Sequence, residues 1–433
     1  MRKQGDGQEA SGVPVSRFDA YVSLGEGQCD LLVRCLLTLG GRVEPGRVRE
    51  AVRLLLRAEP VLSSRFERRS SWPRWQRDES SEERAFSVLE GPGAEERLWE
   101  EIARPGQPFS APQFEVCQVH SCEHDLLLLR ASHVSVDAGG LKELTYALAA
   151  AYRALGGGRP PFALGPHAGR DRRPESLLRG LSRPALLTSV RRAIGPRPAW
   201  GVPAPGGAAS GAALVLQTVA PCQVAAAREF ARTQGVSLTV VLAAALYRAL
   251  FAVLAPPEGK PVPIRIPVNL RRYLPDGSPP VVRNLFGGFQ PAIPPRREEL
   301  FQETVARVAR AVAPFMADRP GLEMAPALRV LFSFGYAPGR RLISYVIDRA
   351  VQRGHSHLVF SSMGVLDPDR LSFGDVEVTD AFLLGPVAYP PSFCLVATTY
   401  RGAMTLGAGT SGGETGRSLI GAVLERMAAE LPA

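Results

Sequence analysis

Lysine is nearly missing from this sequence. Only Lys3, Lys142 and Lys260 occur among 51 basic residues; the other cations are arginines, spread along the chain among 42 acids. No helix-turn-helix, zinc-finger or stacked-aromatic pattern goes with them. The formal charge of +9 therefore has no clustered footprint for phosphates, and nucleic acid is not an expected partner. Cysteine is sparse too. The six thiols (Cys29, Cys35, Cys117, Cys122, Cys222 and Cys394) show no CxxC spacing, and most sit in apolar strings, as reduced core residues do. Long apolar runs are also wanting. The opening MRKQGDGQEASG holds no apolar stretch of a secretory signal, and the greasiest segment, Leu238 to Ala255, is interrupted by Arg248 and rich in alanine. A cytoplasmic chain without stable membrane insertion is the expectation.

Further absences narrow the chemistry. There is no GxxxxGKS/T loop, and neither Gly385-Pro386 nor Gly407-Ala408-Gly409 makes a phosphate cradle. Ser135 has no GxSxG setting, so a serine-hydrolase elbow is lacking. His355-Ser356-His357 has the spacing to put two imidazoles on one face of a strand near Asp367 or Asp369, but no Cys or third His joins them. Ordinary turn chemistry suffices there, and no metal or redox cofactor is expected.

What the sequence does have is bulk. Its 433 residues, 45% hydrophobic and 21% charged, exceed one ordinary core and favour two packed units. Val48, Val52, Leu55 and Leu56 recur at helical spacing between Pro45 and Pro60, predicting an amphipathic helix. Leu126 to Leu129 read as a buried strand that delivers the chain to His133, and Leu141, Leu144 and Leu148 resume a helix beyond Gly139-Gly140. Between Gly156 and Gly211 the composition shifts to Gly, Pro, Arg and Ala, reading as a connection. Within it, Leu177 to Arg192 suggests a short basic amphipathic element on the lobe surface. The second half predicts a strand near Ala213–Val219, helices over Gln223–Thr233 and from Leu238 with Ser237 as N-cap, and strands at Pro263–Asn269, Leu358–Phe360 and Phe393–Ala397. The expected layout is a disordered N-terminus 1–14, a first lobe 15–155, a connection 156–211 and a second lobe 212–433. Each lobe mixes strands and helices as an α/β sandwich would.

The segment Ser132-His133-Val134-Ser135-Val136-Asp137-Ala138-Gly139 places an HxxxD pair directly after a buried strand. A strand end holds the backbone rigid while aiming the imidazole into a cleft, as a general base requires. By itself the pair is a weak signal, since two fixed positions in five recur by chance.

This stretch resembles the HHxxxDG motif of the superfamily that includes chloramphenicol acetyltransferase, nonribosomal peptide condensation domains, wax ester synthases and polyketide-associated and plant BAHD acyltransferases. The resemblance runs through nearly the whole chain. Arg17-Phe18-Asp19-Ala20 and the Gly41 to Phe66 stretch are similar to the family's opening helix and following strand. Gln223 to Leu254 resembles its paired helices, Pro267 to Tyr273 its "vNLR" segment, Ser361-Ser362-Met363-Gly364 its SNxG turn, and Thr399-Tyr400-Arg401-Gly402 its closing strand. The DFGWG string of plant BAHD enzymes is lacking; Ser372-Phe373-Gly374-Asp375 is a partial echo.

The resemblance implies a pseudo-dimer of two chloramphenicol-acetyltransferase-like α/β sandwiches with a channel between the lobes. It implies an acyltransferase that moves an acyl group from a coenzyme A or carrier-protein thioester to an amine or hydroxyl, in secondary-metabolite or lipid biosynthesis. His133 becomes the base, with Asp137 paired to Arg271 as structural support. Ser361, with Ser362 or Asn269, becomes the candidate contact for the oxyanion or substrate. Two departures stand out. Ser132 replaces the motif's first His, and Ala138 replaces its Gly, with Gly139 one place later. They motivate a rival reading, a catalytically inactive carrier-protein or lipid-binding module on the same fold; a cyclase or isomerase is a third. The implied partners are a thioester donor, a small acceptor and an acyl or peptidyl carrier protein, and the implied state is a monomer.

Overall fold

The computed structural model describes residues 13–69, 71–121, 124–157, 200–202, 211–275, 282–296, 298–316, 319–356 and 358–433. Two main sheets organise them. The first has six strands in the order Ser372–Phe373, Val376–Leu384, Leu32–Leu39, Asp125–Ser132, Phe114–His120 and Phe86–Leu89. All eight residues of Asp125–Ser132 are buried, which explains why its leucines run without alternation. Leu127 and Leu129 enter one core, beneath the helices Pro45–Ala58 and Ala138–Gly156, while Leu126 and Leu128 enter another beneath Ala94–Ala103. A strand covered on both faces has no polar side to display.

The second sheet has eight strands. Its main path runs Phe286–Phe289, Val262–Asn269, Leu358–Val365, Phe393–Tyr400, Ala403–Thr410 and Val387–Ala388, with Ala292–Ile293 and Ala213–Val219 paired beside it. Val262–Asn269, Leu358–Val365 and Phe393–Tyr400 are parallel neighbours. The helices Leu238–Leu254, Phe301–Met316 and Gly413–Glu430 complete this core. Ser237 stands at the expected N-cap but its side chain makes no capping bond.

Three expectations need correction. The first is the lobe boundary at 212: Ser372–Phe373 and Val376–Leu384 lie beyond it in sequence yet belong to the first sheet, against Leu32–Leu39. The reason is periodicity, since Val378, Ala381 and Leu383 join the core under Pro45–Ala58 while Phe382 and Leu384 join the one under Ala94–Ala103. The second is the N-terminal tail. Its residues Val13 and Pro14 pair with Trp75 and Arg74 as a short strand; residues 1–12 lie outside the described residues. The third is the supposed turn at Ser361–Gly364, which lies inside the strand Leu358–Val365 as a bulge, with Gly364 at φ 68° taking up the extra residue. The basic element at Leu177 to Arg192, Cys122 and His357 fall outside the described residues.

Among the described residues no single helix is long and apolar enough to cross a membrane. The nearest case is the pair Pro221–Thr233 and Leu238–Leu254, which meet at 109°.

Candidate active site

The strand Asp125–Ser132 ends in a tight loop. Ser135 and Val136 donate their backbone N–H groups back to the Ser132 carbonyl at 3.0 and 3.1 Å. The Ser132 hydroxyl donates to the Pro108 carbonyl at 2.7 Å and accepts from the Val134 N–H at 3.2 Å. Ser132 therefore braces the loop. His133 donates its backbone N–H to the Leu31 carbonyl at 2.7 Å. Leu31 holds that carbonyl in place from a left-handed backbone, φ 53°, a costly conformation for a side-chain-bearing residue. The buried Asp30 carboxylate beside it pairs with the fully buried Arg34 and accepts from the N–H groups of Leu32 and Val387 at 3.2 and 3.0 Å, which sets the bend.

Asp137 closes the loop from the other end. It caps the helix Ala138–Gly156, accepting from the Gly140 N–H at 2.7 Å. The same carboxylate receives Arg271 Nη2 at 2.9 Å and Nη1 at 3.1 Å, and the Leu285 N–H at 2.8 Å. Four donors converge on one buried carboxylate, and two of the groups that supply them come from the second half of the chain. The expected Asp137–Arg271 pair is present.

A further tie was not legible in the sequence. Asn284, fully buried, donates its amide to the carbonyls of His133 and Val134 at 3.0 and 2.8 Å and to the Asp19 carboxylate at 3.0 Å. Nothing in the string Arg283-Asn284-Leu285 announces that role. Asn284→Ala is expected to strip partners from buried carbonyls and cost about 1–3 kcal/mol, read by urea unfolding. Asn284→Asp, which turns donors into acceptors facing Asp19, is expected to cost more.

His133 opens on a cavity of about 340 Å³ lined from both halves of the chain. Tyr21, Leu31 and Val33 come from the first half, and Val268, Phe286, Ile343 and Phe393 from the second. The lining is largely apolar. Phe286 meets the imidazole edge-on, with ring centroids 5.8 Å apart. Burial pushes the His133 pKa below the ordinary imidazole value; its own carbonyl, Asp137, Asn284 and Asp30 pull weakly the other way. The ring is thus neutral at pH 7. Nδ1 is buried and makes no hydrogen bond of ordinary geometry.

Other expected residues reach the same cavity. Asn269 and Gly139 line it, as do Ser361 and Ser362 on the bulged strand. The Ser361 hydroxyl rests on the Met363 sulfur at 3.4 Å, a weak acceptor. Gly139 is glycine for want of space, because a Cβ there would lie 2.8 Å from Arg271 Nη1 and 3.2 Å from the Asn269 amide nitrogen. Gly139→Ala is expected to displace the Arg271 clamp and cost about 1–3 kcal/mol, measured as a shift in the urea midpoint. Lys142 and Arg265 also reach the cavity and were not singled out from sequence. Lys142 lies one helical turn beyond Ala138, a spacing that could have flagged it; desolvation lowers its pKa.

No protein-family model and no curated protein sequence matches the chain. Solved structures do. The first condensation domain of the CDA synthetase aligns over 98% of this chain and 98% of its own, at 15% identity and a TM-score of 0.68. TRI3 trichothecene 15-O-acetyltransferase from Fusarium sporotrichioides aligns over 96% of this chain and 94% of its own, at 14% identity and a TM-score of 0.71. This is the condensation-domain fold. A third structure with that fold, a double mutant of the starter condensation domain of rhizomide synthetase RzmA in complex with C8-CoA and Leu-SNAC, aligns over 99% of this chain and 98% of its own at 13% identity and a TM-score of 0.65.

Proposed function

We propose that the chain is an acyltransferase that moves an acyl group from a coenzyme A or carrier-protein thioester to an amine or hydroxyl, with His133 as general base. The observation that carries this reading is a neutral imidazole, held at a strand end by a clamped loop, lining a cavity shared by both halves of a condensation fold. The neighbours with this fold include an acetyltransferase and a condensation domain bound to an acyl-CoA.

In the proposed step the acceptor O–H or N–H gives its proton to the free imidazole nitrogen as the heteroatom attacks the thioester carbonyl. A C–O or C–N bond forms and the C–S bond breaks. The imidazolium returns the proton to the leaving thiolate, so base and thiol are both restored. Ser361 or Ser362 donates to the oxyanion that forms between these events. The expected donor and acceptor approach from opposite faces of the molecule. Proximity in the cavity supplies much of the rate, and the base adds roughly 10² to 10⁴.

The test offers purified protein a panel of acyl-CoAs and acyl-loaded carrier proteins with amine and hydroxyl acceptors, and reads free thiol together with product mass. Thiol release coupled to an acylated acceptor supports the transferase. Tight binding of thioesters without turnover would favour the inactive module that Ser132 and Ala138 motivate, and a product without free thiol would favour a cyclase or isomerase.

A further inference from the structure

The cavity holds a charge that the reaction above does not use. Along the strand Val262–Asn269, Ile264 and Ile266 face the core while Arg265, Pro267 and Asn269 face the cavity. The Arg265 Nη1 donates to the Tyr21 hydroxyl at 3.0 Å. With the Gln290 amide turned so that its oxygen faces the guanidinium, Nε and Nη2 both donate to that oxygen, at 3.0 and 2.8 Å. Both partners are neutral. The buried arginines nearby differ, since Arg34 pairs with Asp30 and Arg271 with Asp137, and the other cation lining the cavity, Lys142, donates its ammonium to the Val365 carbonyl. Arg265 has no carboxylate at ion-pair distance among the described residues, and the single acid lining the cavity, Asp137, is already committed to Arg271.

A guanidinium has five N–H donors, of which three are used here. The two left over, one on each Nη, are donors that a carboxylate can accept. The surroundings are apolar: Val359 lies beside Arg265 on the adjacent strand, and Cys394 lies beyond Val359. A cation in such a setting without an anion is under-compensated, and a ligand carboxylate relieves it. The position also has a direction. Asn269 pairs with Phe286, the ring that meets His133, and Arg265 lies four residues back along the same strand, roughly 13 Å away at about 3.3 Å per residue.

We propose that the cavity takes a substrate with a carboxylate remote from its reacting group, and that Arg265 grips that carboxylate. This names the substrate class for the acyl transfer proposed above and rests on that reading. Its test does not, because it measures equilibrium binding without turnover.

Monomethyl suberate carries one carboxylate and one ester across an eight-carbon chain, and dimethyl suberate is its neutral counterpart. Calorimetric titration of the full chain is expected to show the monoester binding tighter by on the order of tenfold. In Arg265→Gln the monoester falls to the level of the diester, whose own affinity is unchanged. In Arg265→Lys part of the preference survives, since a point charge remains but the planar guanidinium is gone. Should Arg265→Gln fail to fold, the weakened preference in Arg265→Lys carries the comparison. Equal affinities in the wild type, binding of neither probe at millimolar concentration, or a full preference persisting in Arg265→Gln would each overturn the proposal.

Discussion

Replacing His133 with alanine is expected to lower kcat/KM for thioester-dependent acylation by about 10² to 10⁴, with little change in the urea midpoint. The two readouts separate because the loop is held by its backbone: the His133 N–H binds Leu31, and its carbonyl binds Asn284. The imidazole itself makes no hydrogen bond through Nδ1. Undiminished turnover in a folded His133→Ala protein would remove His133 as the base. The pH profile adds a second check. Burial holds the imidazole pKa below its ordinary value, so the acid limb of kcat/KM is expected below about pH 6.5, with a flat rate through neutrality. Stability follows the same sign. The unfolded chain takes up a proton at His133 near pH 6.5 while the folded chain resists until lower pH, so this contribution is complete above that value and declines as the solution is acidified toward the folded pKa.

Asp137→Ala is expected to be the most damaging single change to the fold, at about 3–5 kcal/mol. It leaves Arg271, whose side chain is only 12% exposed, without its carboxylate. It also strips acceptors from the Gly140 and Leu285 N–H groups. Because much of the cost is a buried charge that has lost its carboxylate, adding Arg271→Leu to Asp137→Ala is expected to recover part of the loss, so that the double mutant costs less than the two single mutants summed. Urea unfolding of the four proteins measures the coupling. Strict additivity would show that the two side chains do not act as a clamp.

The helix Pro45–Ala58 and the strand Val262–Asn269 were legible from a local period, and the strands Asp125–Ser132 and Phe393–Tyr400 from short apolar runs. His133 and Asp137 were legible because the pair lies within five consecutive residues and resembles a family motif, whereas the cap that Asp137 makes on Ala138–Gly156 was seen only in the structure. The segment Val376–Leu384 was placed with the second lobe for a different reason. Its alternation states that both faces are covered, but not by which half of the molecule. Asn284 and Arg265 were missed because their partners lie far off in sequence: Asn284 binds groups 150 and 265 residues away, and Arg265 binds Tyr21 from 244 residues away. No local window contains both ends of such a bond.

By itself the sequence determined the buried strand, the loop that follows it and the helix beyond Gly139-Gly140, and hence the presence of an imidazole at a strand end. Those features depend on neighbours within a few residues, where side-chain period acts directly. Only the tertiary structure decided that Asn284 and Leu285 fasten the loop from the opposite half beside the expected Arg271, that the imidazole is buried enough to stay neutral, and that Arg265 faces the cavity without an acid. Desolvation and charge pairing are properties of groups close in space, and chain order does not carry spatial distance.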